Sequence, residues 1–330
     1  MLAEAEVSWR GTTVSYELPP MRPPSEARSL LLRVMRGCPW NYCTFCSAYK
    51  ELPRKTVMRS VEEVKGDIDE LGMACDEMRR QGYIVEPRTA FLADSNAIIV
   101  KTADLAEIIA YLLEAFPSLE RLTSYGRAKT VLAKDLDELR ELRRAGLTRL
   151  HLGLESGDDG VLQRVKKGAT SEEMIAAGIK AKEAGFELSE YVMPGLGGRD
   201  ASERHVEGTA RVINAIDPHY TRVRSFILIP DTPLFAEYEA GEFQALSRLE
   251  VAREIRALVE RLEISGRLCL DHFSNPPFLR QDWEGYKLPE EKEEVLSTID
   301  STLERCAARL SEKEGCPPEE GPGPAIGSRL

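Results

Sequence analysis

Apolar and polar positions follow a recurring order along this chain: a short apolar run, a turn, then a stretch with helical spacing. Ser29 to Met35 is an apolar run that predicts a buried strand. Ser60 and Glu63 form a capping-box pattern, which predicts a helix running to about Gln81. Thr89 to Ala93 reads as a strand, and Asp104 to Phe116 as an amphipathic helix stopped by Pro117. Leu119 to Ser124 is strand-like, Asp135 to Ala145 helical, and Arg149 to Leu154 again a strand. Thr170 and Glu173 cap a further helix that ends at Gly185. Phe186 to Val192, a helix from about Ser202, and a strand from Tyr220 to Ile229 continue the series. At Ala145-Gly146 and Ala184-Gly185 a glycine ends a helix just before a strand begins. Six strand–helix pairs predict a parallel sheet, wound either as a partial barrel or as a doubly wound sheet.

Beyond Ile229 the pattern changes. Ser247 to Ile264 reads as a long helix with a capping box at Ser247 and Glu250, followed by a short strand at Arg267 to Leu270. A final helix spans about Glu290 to Leu310. The expected organisation is a proline-rich lead-in over 1–28, the repeating unit over 29–240, a small α-rich extension over 241–312 and a disordered Pro/Gly-rich tail over 313–330.

Composition narrows the function classes without choosing one. The chain has 330 residues, 42% hydrophobic and 30% charged, with 44 Lys+Arg against 55 Asp+Glu and a net charge of −11. That is ample for a buried core, and the acidic balance disfavours a broad phosphate-tracking surface. Apolar runs such as Phe226 to Pro230 are far shorter than the roughly 20 residues of a membrane helix. The acidic N-terminus lacks an export-type apolar segment, so a cytoplasmic protein without membrane partners is expected. Four histidines and no G-x-S-x-G leave a hydrolase triad without support.

Three of the seven cysteines fall close together, in Cys38-Pro39-Trp40-Asn41-Tyr42-Cys43-Thr44-Phe45-Cys46, directly after the first predicted strand. Thiolates are the usual ligands of iron–sulfur clusters, and three of them leave one iron of a [4Fe–4S] cube open. A zinc site needs a fourth ligand; Cys75 and His151, the nearest candidates, lack finger-like spacing. The competing assignment is three buried cysteines acting as small apolar side chains. Cys75, Cys269, Cys306 and Cys316 are dispersed, and are expected to be buried or incidental thiols.

The triplet resembles that of the radical S-adenosylmethionine (radical SAM) superfamily, whose usual spacing is C-x3-C-x2-C after the first barrel strand. Here one extra residue separates the first two cysteines. The closest likeness is to the coproporphyrinogen-oxidase-like and methylthiotransferase-like groups. It rests on His151-Leu152-Gly153-Leu154-Glu155-Ser156-Gly157 with Val161-Leu162 and Lys166-Lys167-Gly168, on Val192-Met193-Pro194-Gly195 and on Ile229-Pro230-Asp231-Thr232-Pro233-Leu234. The resemblance spans about residues 29–240.

It implies an α/β fold, a partial (βα)6 TIM-type barrel with a small α-rich C-terminal extension. It further implies Cys38, Cys43 and Cys46 as ligands of a [4Fe–4S] cluster, and S-adenosylmethionine (SAM) as second cofactor. By the same resemblance Phe45 and Met193 lie near the adenine, and Glu155 binds the ribose hydroxyls. Asp94, Ser95 and Asn96 stand where the family holds the SAM amino group, although its glycines are missing. Ser124 and Arg127 end the third strand, where Arg127 suits the SAM carboxylate. Bland readings stand beside these: Asp94 as a helix cap, Arg127 as a surface arginine, Lys166 and Lys167 as a solvated helix end, His272 as a satisfied structural histidine.

The implied chemistry is reductive cleavage of SAM to methionine and a 5′-deoxyadenosyl radical that takes hydrogen from a substrate. Flavodoxin or ferredoxin would supply the electron. A small-molecule substrate is favoured, with RNA unlikely. Modification of RNA or of a peptide remains the alternative within the superfamily, and an iron–sulfur electron carrier or sensor the alternative outside enzymes.

Overall fold

The computed structural model describes residues 5–9, 12–16, 21–50, 56–280, 282 and 284–312, with the backbone alone for 5–9, 12–16 and 307–312. The expected disordered tail over 313–330, with Cys316, and parts of the 1–28 lead-in lie outside the described residues. Strands β1 (Ala5–Trp9) and β2 (Thr12–Tyr16) form an antiparallel hairpin. The apolar run at 29–35 divides into β3 (Leu30–Leu32) and β4 (Met35–Arg36), the latter pairing antiparallel with β5 (Val57–Met58).

Helix α1 (Val61–Arg80) starts at the expected capping box, with Glu63 N–H donating to Ser60 Oγ and Ser60 N–H to the Glu63 carboxylate. There follow β6 (Thr89–Leu92), α2 (Thr102–Ala115), β7 (Arg121–Gly126), the short α3 (Ala128–Ala133) and α4 (Leu136–Ala145). Next come β8 (Leu147–Glu155), the short α5 (Asp159–Arg164), α6 (Ser171–Glu183), β9 (Glu187–Val192) and α7 (Gly198–Ile216). Gly146 at φ +123° and Gly185 at φ +90° end their helices in the conformation that the Ala-Gly exits suggested.

Strand β10 is Tyr220–Val223, much shorter than the expected Tyr220 to Ile229. After Val223 the chain leaves the strand to follow a turn: Arg224 N–H donates to Val192 O at 2.9 Å and Phe226 N–H to Pro194 O at 2.8 Å. Helices α8 (Pro233–Glu239) and α9 (Arg248–Arg261) lead to β11 (Arg267–Cys269), β12 (Tyr286–Lys287) and α10 (Lys292–Glu312).

Eight strands form one ladder in the order β3, β6, β7, β8, β9, β10, β11, β12, with β3 and β12 at its two ends. The pairs β3–β6, β6–β7, β7–β8, β9–β10 and β10–β11 are parallel, and β11–β12 is antiparallel. This is the expected α/β partial-barrel class, and the sheet runs on past β10. Strand β11, read from sequence as part of a separate extension, joins the sheet beside β10. Leu268 and Cys269 are fully buried, and burial of those side chains favours a central place over an exposed hairpin.

The chain divides into two compact units: Met1–Asn41, Ala48–Leu152 and Ile179–Leu188 in the first, and Tyr42–Ser47, Gly153–Gly178 and Ser189–Leu330 in the second. In the first, Leu30, Leu32, Ala90 and Leu92 are wholly buried, as are the apolar positions Ile108, Ile109 and Leu112 of α2 and Leu139 and Leu142 of α4. In the second, Val161, Val165, Met193, Leu196, Leu228, Leu234 and Phe243 form a buried cluster.

Candidate active site

In the first unit, Cys38 lies in the loop after β4, just past Gly37 at φ +86°. Asn41, at φ +49°, donates its backbone N–H to Cys38 Sγ at 3.4 Å and its side-chain amide to Tyr49 O at 2.9 Å. An N–H directed at sulfur stabilises a thiolate and tunes any iron bound to it. Ser95 Oγ donates to Gly37 O at 2.8 Å and so ties the end of β6 to this loop.

Asp94, also at the end of β6, is fully buried and takes a left-handed φ of +70°. Its carboxylate meets Arg33 Nε at 2.8 Å and accepts from Tyr49 Oη at 3.3 Å. Burial raises its pKa above the usual carboxylate range, opposed by the Arg33 guanidinium and the Tyr49 hydroxyl. The same burial, with the Asp94 charge, pushes the Tyr49 phenol well above its ordinary value. Neither Arg33 nor Tyr49 carries a motif that would have marked it in the sequence.

Asn96 is wholly buried: its amide donates to Thr130 Oγ1 at 2.8 Å and its carbonyl accepts Arg127 N–H at 3.1 Å. That fixes the start of α3, while the Arg127 guanidinium stands 5.3 Å from the centre of the Trp40 ring. Ser124 is buried in β7 and donates to Tyr125 O at 3.0 Å. Beneath these residues lies a group that sequence reading missed. Glu26 is fully buried, 3.6 Å from His151 Nε2 and 3.2 Å from Arg121. Burial acts to raise its pKa, but His151, Arg121 and Ser29 outweigh it and hold the carboxyl at about 2.

In the second unit, Cys43 and Cys46 are joined by a turn in which Cys46 N–H points to Cys43 O at 3.4 Å. Thr44 between them donates N–H to Val165 O at 3.0 Å, and its carbonyl accepts Leu234 N–H at 3.0 Å. Phe45 packs against the buried cluster that contains Met193. Glu155, at the end of β8, has φ +64°, a conformation that side chains other than those of Gly, Asn and Asp rarely take. Its Oε1 accepts Lys167 Nζ at 2.9 Å, and its carbonyl accepts Met193 N–H at 2.9 Å. Glu190, in β9, is 1% exposed. Burial, reinforced by the Glu155 charge and opposed by Lys167, drives its pKa well above the usual range. An acidic residue inside the apolar run FELSEYVM was the signal that could have singled it out.

The second unit therefore gathers Phe45, Glu155 and Met193, three residues expected at the SAM site. The first unit gathers Asp94, Ser95, Asn96, Ser124 and Arg127 around the ends of β6 and β7. Cys38, Cys43 and Cys46 are half-buried, and three soft thiol donors suit an iron–sulfur cluster. Among the described residues no three His, Cys, Asp or Glu side chains stand close enough to hold a metal ion. Cys75 and Cys269 are buried, as expected of bystanders. His272 Nδ1 accepts Ser274 N–H at 3.2 Å, and burial with the Arg224 charge lowers its pKa to about 3, so the ring is neutral. No helix among the described residues is long and apolar enough to cross a membrane.

Comparison with known proteins adds independent evidence. A tRNA-2-methylthio-N(6)-dimethylallyladenosine synthase of Nitrosomonas europaea is 27% identical over 218 residues, covering 64% of this chain and 46% of that protein. The heme chaperone HemW of Bacillus subtilis is 24% identical over 131 residues, covering 39% of this chain and 34% of that one. The chain spans about half the length of the first of these relatives, and less of the second. The coproporphyrinogen III oxidase HemN of Escherichia coli shares the fold, with a TM-score of 0.51 at 18% identity over 71% of this chain and 52% of that chain. Residues 32–211, more than half of the sequence and including all three clustered cysteines, match the sequence model of the Radical SAM superfamily. The chain belongs to that superfamily, a family that works with a [4Fe–4S] cluster and S-adenosylmethionine.

Proposed function

We propose that this chain forms a radical on a small-molecule substrate, with Cys38, Cys43 and Cys46 holding the cluster within a catalytic unit over 29–240. The extension over 241–312 would complete the substrate side. The observation that carries the reading is the grouping of Phe45, Glu155 and Met193, with the Glu155 carbonyl bonded to Met193 N–H at 2.9 Å. When bound, the cluster and SAM together supply a 5′-deoxyadenosyl radical able to take a hydrogen atom from carbon.

The protein's own part is to bind, orient and keep water out. The Glu155 carboxylate, steadied by Lys167, accepts the ribose hydroxyls. Phe45 and Met193 offer apolar faces to the adenine. Asp94, fixed by Arg33, shapes the turn with Ser95 and Asn96 that receives the amino group, while Ser124 and Arg127 receive the carboxylate. A one-electron donor is required by this chemistry, and flavodoxin or ferredoxin suits it.

Radical modification of RNA is the second reading, favoured by the 27% likeness to a tRNA-modifying synthase. The net charge of −11 favours the small molecule. A carrier of electrons alone would leave SAM intact. The test is anaerobic reconstitution with iron and sulfide, then addition of dithionite and SAM with measurement of 5′-deoxyadenosine. Product is expected from the wild type, and its absence from protein with a verified cluster would overturn the reading. Cys43→Ala is expected to abolish both the cluster absorption and the product; retention of either removes Cys43 from the ligand set.

A further inference from the structure

Behind the grouping of Phe45, Glu155 and Met193 runs a buried polar chain that the family chemistry does not call upon. Ser156, next to Glu155, is fully buried; its Oγ accepts Asp158 N–H at 3.1 Å and meets His205 Nδ1 at 2.8 Å. His205, on α7, is 2% exposed; its Nε2 stands 3.5 Å from Glu254 Oε1, and its ring also bonds the Met193 backbone. Those contacts assign the proton to Nε2 and leave Nδ1 to accept the Ser156 hydroxyl. Glu254, on α9 and 4% exposed, accepts Gly195 N–H at 2.6 Å on Oε1 and the Ser202 hydroxyl on Oε2. One continuous path thus links the turn after Glu155 with the turn after Met193.

We propose that Glu254 is a positioning residue for SAM: its ionised carboxylate holds the Met193–Gly195 turn, through the Gly195 amide and through His205 and Ser156, in the arrangement that binds the nucleoside. The inference rests on the assignment of Glu155 and Met193 to the SAM site. Gly195 itself sits at φ +89°, and its amide N–H is directed at the Glu254 carboxylate.

The group is placed to titrate in the working range. Burial raises the Glu254 pKa to about 7, against the lowering effect of Ser202 and the Gly195 amide. Burial lowers that of His205 to about 4, with Asp158 and the Met193 backbone opposing, so the ring is neutral when Glu254 ionises. On the surrounding elements Asp158 pairs with Arg204 at 3.4 Å and Arg199 with Glu250 at 3.0 Å. Glu254 is therefore the member of this network whose charge changes near neutrality. An ionised carboxylate binds an amide N–H more strongly than a protonated one.

The experiment measures the SAM dissociation constant of the cluster-loaded protein by anaerobic calorimetry between pH 6 and pH 8.5. Wild type is expected to tighten as pH rises through about 7, whereas Glu254→Gln, which keeps an acceptor but cannot ionise, stays flat and is about fivefold weaker at pH 8. Ser202→Ala removes a donor to the carboxylate and is expected to move the midpoint upward. A Glu254→Gln profile parallel to wild type, or an unmoved midpoint in Ser202→Ala, overturns the proposal. Glu155→Ala separates the two levels. If it leaves SAM affinity unchanged, the underlying site assignment fails; if it weakens SAM while the Glu254 profile stays parallel, the positioning role alone fails.

Discussion

At the scale of single residues, the buried charges set how the protein responds to acid. Glu26 is held at about 2 by His151 and Arg121, below its ordinary 4.5. A depressed carboxyl contributes stability that is fully present above the ordinary pKa and is lost as pH falls toward the folded one. That contribution is on the order of 3 kcal/mol. Glu26→Gln is expected to remove it, so that wild type and variant unfold with a difference that shrinks between pH 4.5 and pH 2. An equal difference at both ends in denaturant titrations would show that Glu26 acts by packing alone. Such partnerships were invisible in the sequence, because Glu26, Arg121 and His151 are far apart along the chain and meet only in the fold. The clustered cysteines and the HLGLESG segment were legible because their chemistry is local: ligand spacing and a strand-end turn both lie within ten residues.

At the scale of elements, most of the architecture followed from period and punctuation. The capping boxes at Ser60, Thr170 and Ser247 start helices as read, since the reciprocal bonds they make need only four consecutive residues. The short helices α3, α5 and α8 escaped notice because six or seven residues carry too little periodicity. Strand β10 was overread because the apolar run Phe226 to Ile229, in which only Leu228 is buried, follows a turn through Phe226 N–H to Pro194 O and not a ladder. Close approach of elements is equally hard to read. A Cβ on Gly157 would stand 2.1 Å from the Gly208 carbonyl oxygen, so the turn after β8 presses directly on the backbone of α7. Gly157→Ala is expected to cost about 1–3 kcal/mol and to weaken SAM binding in parallel. Unchanged thermal stability and unchanged SAM affinity in that variant would contradict the contact.

At the scale of the whole molecule, charge bears on partners more than on fold. With a net charge of −11, binding to bulk tRNA is expected to be undetectable by filter retention at physiological salt. Retention that falls steeply as salt is raised would instead favour the RNA reading. The cysteine loop carries a consequence of another kind, one of timing during synthesis. Thr44 is stitched by main-chain bonds to Val165 and Leu234, both made long after it on the ribosome. Until residue 234 has emerged, the nascent loop lacks the partners that fix its backbone. A chain stalled before Leu234 would therefore present its thiols on an unformed strap.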